Sequence, residues 1–337
     1  MATPPEPPRV LISNWVHPEV INRLEPHCRV IANLDRDRPW RPEEILRYGR
    51  EASAWMAFMP DRADGDVLDQ LPRLRIIAGA LKGYDNFDVD ACTARGIWFS
   101  IVPDLLTEPT AELTVGLMIG LARHILAGDA HIRSGEFQGW RPRWYGRGLA
   151  GSRVGILGAG AVGQAIAARL RPFGAELHYH DRQRLDPVQE AALGLCFGDW
   201  NTVIGGADYL VLALPLNTGT RHCIDATTLA RLPRGSLLIN PARGSLVNEG
   251  AVVEALTAGH LGGYAADVFE LEDWRLPDRP RRIDHRLLNL TERTLFTPHL
   301  GSAVDEVRQA IALQAADNIL AALRGETPPG AVNRLDG

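Results

Sequence analysis

Cysteine is scarce in this chain. Cys28, Cys92, Cys196 and Cys223 stand far apart with no C-x-x-C spacing, which indicates neither a zinc site nor a disulfide frame, and no metal is expected. A basic run is also missing: the arginines are interspersed with acids and the formal charge is −5, so no nucleic-acid partner is expected. Long apolar runs are absent too. The most apolar stretch, LTVGLMIGLARHIL (113–126), is interrupted by Arg123 and His124 and is too short to span a bilayer, so no membrane partner is expected. The N-terminal MATPPEPPRV is a proline-rich lead without the basic-then-apolar pattern of a secretion signal. No internal repeat or low-complexity tract occurs. The expectation is a soluble, cytoplasmic protein, and 337 residues suffice for two domains with substantial cores.

The first hundred residues alternate short apolar runs with helical patterns. RVLIS (9–13), AWMAFM (54–59) and LRIIAGA (74–80) read as strands; EEILRYGREA (43–52) and DVLDQLP (66–72) read as helices. That rhythm predicts an α/β unit with a parallel sheet. A long helix is expected from about Pro109 to Ala127, followed by an aperiodic arm (133–151) rich in Gly, Arg and aromatic residues. A second α/β series starts at SRVGILGAGAVGQAIAARL and ends at TLFTPHLGS. The last helix, Ala303 to Leu323, has no strand of its own, and Gly325 stops it. The economical topology is discontinuous: a nucleotide-binding unit, 105–301, inserted in a unit made of 1–104 and 302–337.

VGILGAGAVG places Gly158, Gly160 and Gly163 between a strand and a helix. There glycines allow a sharp turn and close backbone approach to a pyrophosphate, and the helix N-terminus offers free N–H groups. Asp181 ends the next strand, 18 residues past Gly163, where a carboxylate binds ribose hydroxyls and repels a 2′-phosphate. NAD is therefore the expected cofactor. Arg182 and Arg184 follow directly and could partly counter that repulsion, which leaves some NADP use open.

Three further residues follow apolar runs of the second series: Arg243 after LLINPA, Glu272 after YAADVFE and His299 after TLFTP. A histidine base needs a carboxylate to hold its tautomer, and an arginine fork holds an anion. Lys82 and Gly83 lie in ALKGYDNFD, just beyond a strand, with Gly83–Asn86 read as a tight turn. A lone loop lysine is ordinarily solvated surface.

The strings GAGAVG, INPARG, AADVFELE and TPHLGS resemble the NAD-dependent D-2-hydroxyacid dehydrogenase family over nearly the whole chain. ALKGYDNFDVDACTARGIW, VPDLLTEPTAEL, RSGEFQGWRPRWYG and GYAADVFELEDW resemble the phosphonate (phosphite) dehydrogenases within it. The resemblance implies that Arg243 holds the substrate anion, Glu272 orients His299 and His299 handles the proton. It implies that Thr110, Ala161, Val162, Asp181, Pro215, Pro241, Asp267 and His299 line the NAD site. It also implies that Lys82, Gly83, Met59, Trp140, Tyr145, Ser302 and Arg308 complete the substrate pocket. Ser302 reads as the cap of the last helix, with Arg308 two turns in.

Most of the broader family has a small or apolar residue where Lys82 stands. Phosphite near neutral pH is largely a tetrahedral dianion, and a second fixed cation is the expected adaptation. The expected reaction is NAD-dependent oxidation of phosphite to phosphate, with water as nucleophile. The rivals are a D-2-hydroxyacid dehydrogenase or glyoxylate–hydroxypyruvate reductase, and a dinucleotide-sensing binding protein. The helix from Pro109, with Gly116 and Gly120, and the arm after it resemble the family's dimer-forming elements and imply a homodimer.

Overall fold

The computed structural model describes residues 6–335. Two compact units divide the chain. The first contains the residues up to Leu106, Trp274–Pro277 and those from Ala303 onward; the second contains Thr107–Asp273 and Asp278–Ser302. The return of Trp274–Pro277 to the first unit is not legible in the sequence pattern.

The first unit holds a five-stranded sheet of β1 (Arg9–Ile12), β2 (Arg29–Ala32), β3 (Ala54–Ala57), β4 (Ile76–Gly79) and β5 (Trp98–Ser100). They run parallel in the order β2-β1-β3-β4-β5. Its inner strands β1, β3 and β4 are apolar at successive buried positions because both faces are covered, whereas the edge strand β2 opens with exposed Arg29. Val10, Ile12, Met56 and Ala78 face one cluster that includes Ile311, Ala315 and Ile319 of the helix Asp305–Leu323. Leu11, Trp55, Ile77 and Phe99 face the other. The C-terminal helix thus belongs to the first unit, as the discontinuous topology requires. It ends where Gly325 takes φ +83°, a conformation that favours glycine.

The helix begins later than expected. Val304 precedes its first residue, Asp305, and makes no side-chain cap; Ser302 is not the cap. Asp305 and Glu306 place negative charge in the first turn, where the helix dipole favours it. Arg308 consequently sits one turn in, not two. The turn near Lys82 also shifts by one residue: the Phe87 N–H donates to the Tyr84 carbonyl at 2.9 Å.

The second unit holds seven parallel strands: β6 (Arg153–Leu157), β7 (Glu176–His180), β8 (Leu195–Phe197), β9 (Tyr209–Leu212), β10 (Leu237–Asn240), β11 (Gly263–Ala266) and β12 (Thr294–Phe296). Their order is β12-β11-β10-β9-β6-β7-β8. The order reverses direction between β6 and β9, the switch point where such sheets bind dinucleotides. The expected long helix is broken. Thr107–Ala122 and Ile125–Arg133 meet at 63°, because His124 adopts φ +53° and interrupts the ladder. Among the described residues, no single helix is long and apolar enough to cross a membrane. Gly120 does not lie open for a partner: a Cβ there would come within 2.7 Å of Leu295, inside the same unit. Gly116 is open.

Candidate active site

The three glycines after β6 do three different things. Gly158 has φ +99°, and a Cβ on it would lie 2.4 Å from the Ala213 carbonyl oxygen. Gly163 packs its helix onto the turn, since a Cβ would lie 2.1 Å from the Gly158 oxygen. Gly160 precedes the helix Ala161–Leu170, and a Cβ there would meet no atom within 4 Å. That open backbone at a helix N-terminus, with exposed Ala161 and half-buried Val162 beside it, suits an anion such as a pyrophosphate. Asp181, just past β7, accepts the Ala159 N–H at 2.7 Å, which ties the acid to the glycine turn. Arg184 does not stand behind Asp181 as a spare cation. It forms a two-pronged pair with Glu190 at 2.9 and 2.8 Å, which the Tyr179 hydroxyl joins at 2.7 Å. Arg182 is exposed.

At the carboxyl ends of β10, β11 and β12 the structure assembles the remaining groups. His299 Nδ1 lies 2.7 Å from Glu272 Oε2. Glu272 Oε1 accepts the Phe269 N–H at 2.8 Å, so the carboxylate is fixed at both oxygens. With Nδ1 engaged, the other ring nitrogen of His299 is left to handle a proton. His299 itself takes φ +57°, uncommon for a residue with a Cβ, and the conformation is held by its N–H donating to the Asp267 carbonyl at 2.8 Å.

Asp267 is the organiser of this loop. Its carboxylate accepts the Thr297 hydroxyl at 2.6 Å, the Leu300 N–H at 2.7 Å and the Gly301 N–H at 2.8 Å. Burial pushes its pKa up against the opposing pull of those donors. The position of a Cβ on Gly301 would be 3.2 Å from both Asp267 and Thr110, which places Thr110 at the same spot. Arg243 follows β10, its guanidinium donating to the Ala242 carbonyl at 2.7 Å. Pro241 is buried and Pro215, past β9, is exposed.

In the first unit, half-buried Lys82 lies three residues past β4, with Gly83 beside it. Arg308 reaches the same strand end, donating to the Ala80 carbonyl at 3.3 Å, and burial pushes its pKa below the ordinary arginine value. Met59 follows β3, and its carbonyl accepts the Asn86 amide at 3.3 Å. A cavity of about 300 Å³, lined by Trp15, His17, Phe58, Ala303 and Arg308 among others, opens past β1 and β3, the switch point of this sheet. Trp140 and Tyr145 are 75% and 76% exposed, so neither is a core residue of its unit.

A sequence description of the D-isomer specific 2-hydroxyacid dehydrogenase NAD-binding domain matches residues 115–301. A glyoxylate reductase of Pyrococcus horikoshii is 37% identical over 334 residues, 97% of this chain and 96% of that protein. The chain belongs to the D-isomer specific 2-hydroxyacid dehydrogenase family.

Solved structures similar to this family member include a Thermus thermophilus protein, with a TM-score of 0.87 at 34% identity, covering 96% of this chain and all of that one. Another is the NADPH-dependent glyoxylate/hydroxypyruvate reductase of Sinorhizobium meliloti in complex with NADP and malonate. It has a TM-score of 0.81 at 29% identity and covers 96% of each chain. As a dehydrogenase of this family the chain carries an NAD-binding domain. The opened turn at Gly160 and the Asp181 carboxylate are the features of this structure that fit the cofactor.

Sequence reasoning missed Gly244. A Cβ on it would lie 1.9 Å from the Phe269 carbonyl carbon, so the loop carrying Arg243 touches the loop leading to Glu272 backbone to backbone. The only sequence signal is a glycine directly after the arginine.

Proposed function

We propose that this dehydrogenase oxidises phosphite to phosphate with NAD⁺. One observation carries the reading. Lys82 is the only lysine in the chain, every other basic side chain being arginine or histidine, and it stands at a strand end that Arg308 also reaches. A composition that uses arginine everywhere else retains a compact ammonium at this one position. Arg243 adds a third cation in the second unit. A monocarboxylate needs fewer cations; a tetrahedral dianion needs its second charge met, because leaving it uncompensated on partial desolvation costs several kcal/mol.

NAD⁺, when bound, supplies the hydride acceptor. Thr110, Gly158, Gly160, Ala161, Val162, Gly163, Asp181, Arg182, Pro215, Pro241 and Asp267 are the residues assigned to hold it. Lys82 and Arg308 in the first unit and Arg243 in the second are the residues assigned to the phosphite oxygens, and Gly83, Met59, Trp140, Tyr145 and Ser302 are assigned to the substrate as well. His299, oriented by Glu272, takes a proton from the attacking water. The P–H bond breaks with its electron pair leaving as hydride, a P–O bond forms, and phosphate, NADH and one proton result.

A second reading is supported by the named relatives, which are glyoxylate reductases. In it, Arg243 holds the carboxylate of a 2-oxoacid and His299 gives a proton to the keto oxygen. The relatives back this reading better than the phosphite reading, whose support is the lone lysine. Purified protein mixed with NAD⁺ and phosphite, followed by NADH absorbance, tests the first; glyoxylate or hydroxypyruvate with NADH tests the second. Turnover of the oxoacids with none of phosphite removes the phosphite reading, and no turnover in either direction revives the dinucleotide-sensing alternative.

The working form is proposed to be a homodimer. The helix Ile125–Arg133 buries none of its residues, and Ile125, Leu126, Ile132, Phe137, Trp140 and Tyr145 are all exposed. Six exposed large hydrophobic residues within one segment point to a partner, and a second copy of this chain is the proposed one. Light scattering that returned a monomer mass would refute it.

A further inference from the structure

Beneath the Glu272 turn lies a second group of ionisable residues that the reaction above does not use. His222 Nε2 is 2.8 Å from Glu270 Oε2. Glu270 Oε1 accepts the Glu249 N–H at 3.0 Å, while the Glu270 N–H donates to Glu249 Oε1 at 2.8 Å, so the two residues strap each other backbone to side chain in both directions. Glu249 opens the helix Glu249–Thr257, and Glu270 opens the single turn Glu270–Glu272 whose last residue orients His299. The His222 N–H donates to the Ser245 carbonyl at 2.8 Å, and the Ser245 N–H donates to Asp273 Oδ2 at 2.8 Å. Ser245 is two residues past Arg243. The same strap therefore holds the anion-binding loop and the Glu272 turn in one register.

His222 also takes φ +51°, a conformation that a residue with a Cβ keeps only where its surroundings insist on it. Burial pushes the Glu249 carboxyl up to about 7, with Glu270, Asp273 and Asp284 adding to the rise.

We infer that His222, acting through Glu270, is a positioning residue for the reaction: it sets the turn that presents Glu272 to His299 and registers it against the Arg243 loop. The inference rests on the assignment of Glu272 and His299 above but not on which substrate they serve.

The test compares His222→Ala, His222→Gln and His222→Asn, alone and with Glu272→Gln, using whichever of phosphite or glyoxylate the wild type turns over. His222→Ala is expected to lower kcat about tenfold or more while the NADH dissociation constant stays within about twofold. Glutamine, whose amide can donate to Glu270, restores most of the loss, and the shorter asparagine does not. In the Glu272→Gln background the alanine change costs less than about threefold, because the residue it acts through is already disabled. Amide exchange over residues 269–273 rises in His222→Ala and not in His222→Gln, a readout that stands even if both substrate readings fail. Unchanged kcat with unchanged exchange overturns the inference, and so does a kcat loss that persists undiminished beside Glu272→Gln. Should the alanine variant not fold, the glutamine–asparagine comparison decides on the same criteria.

Discussion

Gly244 and Phe269 meet backbone to backbone, with no space between them for a side-chain carbon. Gly160 is the opposite case, a glycine with open space on its Cβ side. The contrast separates two uses of one residue type. Gly244→Ala must push apart the loops that carry Arg243 and Glu272, and is expected to lower kcat/KM about a hundredfold or to unfold the protein. Gly160→Ala is expected to leave the melting temperature within a degree or two of wild type and to weaken NADH binding about tenfold or more. Thermal melts and fluorescence titration of NADH check both; undiminished NADH affinity in Gly160→Ala would remove the pyrophosphate from that turn.

Because Lys82 is the only lysine, reductive methylation with ¹³C-formaldehyde labels one side chain and the terminal amine. Phosphite is expected to move the side-chain NMR signal strongly, and lactate weakly. Lys82→Ala is expected to raise KM for phosphite about tenfold or more, with a smaller effect on glyoxylate. A signal indifferent to phosphite would return Lys82 to the status of a surface lysine.

Asp61 is buried in the first unit with the Ser13 hydroxyl and the Phe58 N–H, 2.7 Å away, as its partners. Neither is charged, and burial pushes the carboxyl up to about 7. The unfolded chain releases this proton first, near the ordinary value of about 3.9, so the folded state binds more protons between there and about 7. Stability contributed by the neutral acid is full below that window and falls as pH rises through it, by about 1.4 kcal/mol for each pH unit of the rise. Asp61→Asn keeps the acceptor for Phe58 and cannot ionise. It is expected to raise Tm by several degrees at pH 8, with the gap closing at pH 5. A gap that widened toward acid would have the wrong sign.

The proposed role of Asp181 is to select NAD over NADP through charge; in the structure it accepts the Ala159 N–H. Asp181→Asn retains an acceptor and removes the charge. With exposed Arg182 next to it, kcat/KM for NADP is expected to rise about tenfold or more while that for NAD falls less. Paired kinetics with both cofactors measure it, and a flat NADP response would transfer the choice to other groups.

Much of this protein was legible before any coordinates. The inner strands β1, β3 and β4 of the first sheet and β6, β9 and β10 of the second were legible as short apolar runs, because strands covered on two faces carry no polar alternation, whereas β2, β5 and β8 were not read. Gly158, Gly160 and Gly163 and the stop at Gly325 were readable for a related reason. A backbone that must take positive φ, or lie against another chain segment or a ligand, constrains its own residue type locally. The acids and bases Asp181, Arg243, Glu272 and His299 could be picked out by their place after apolar runs.

Side-chain partnership was a different matter. That Arg184 is taken by Glu190, that His124 bends a helix expected to run straight, and that Ser302 leaves the cap to Val304 depend on contacts or packing beyond the local pattern. Glu272 and His299 are 27 residues apart, and His222 and Glu270 are 48. Chain order alone says which backbone conformations and which buried faces these residues favour. Only the folded sheet, by fixing which strand ends lie side by side, determines that the imidazole of one loop meets the carboxylate of its neighbour.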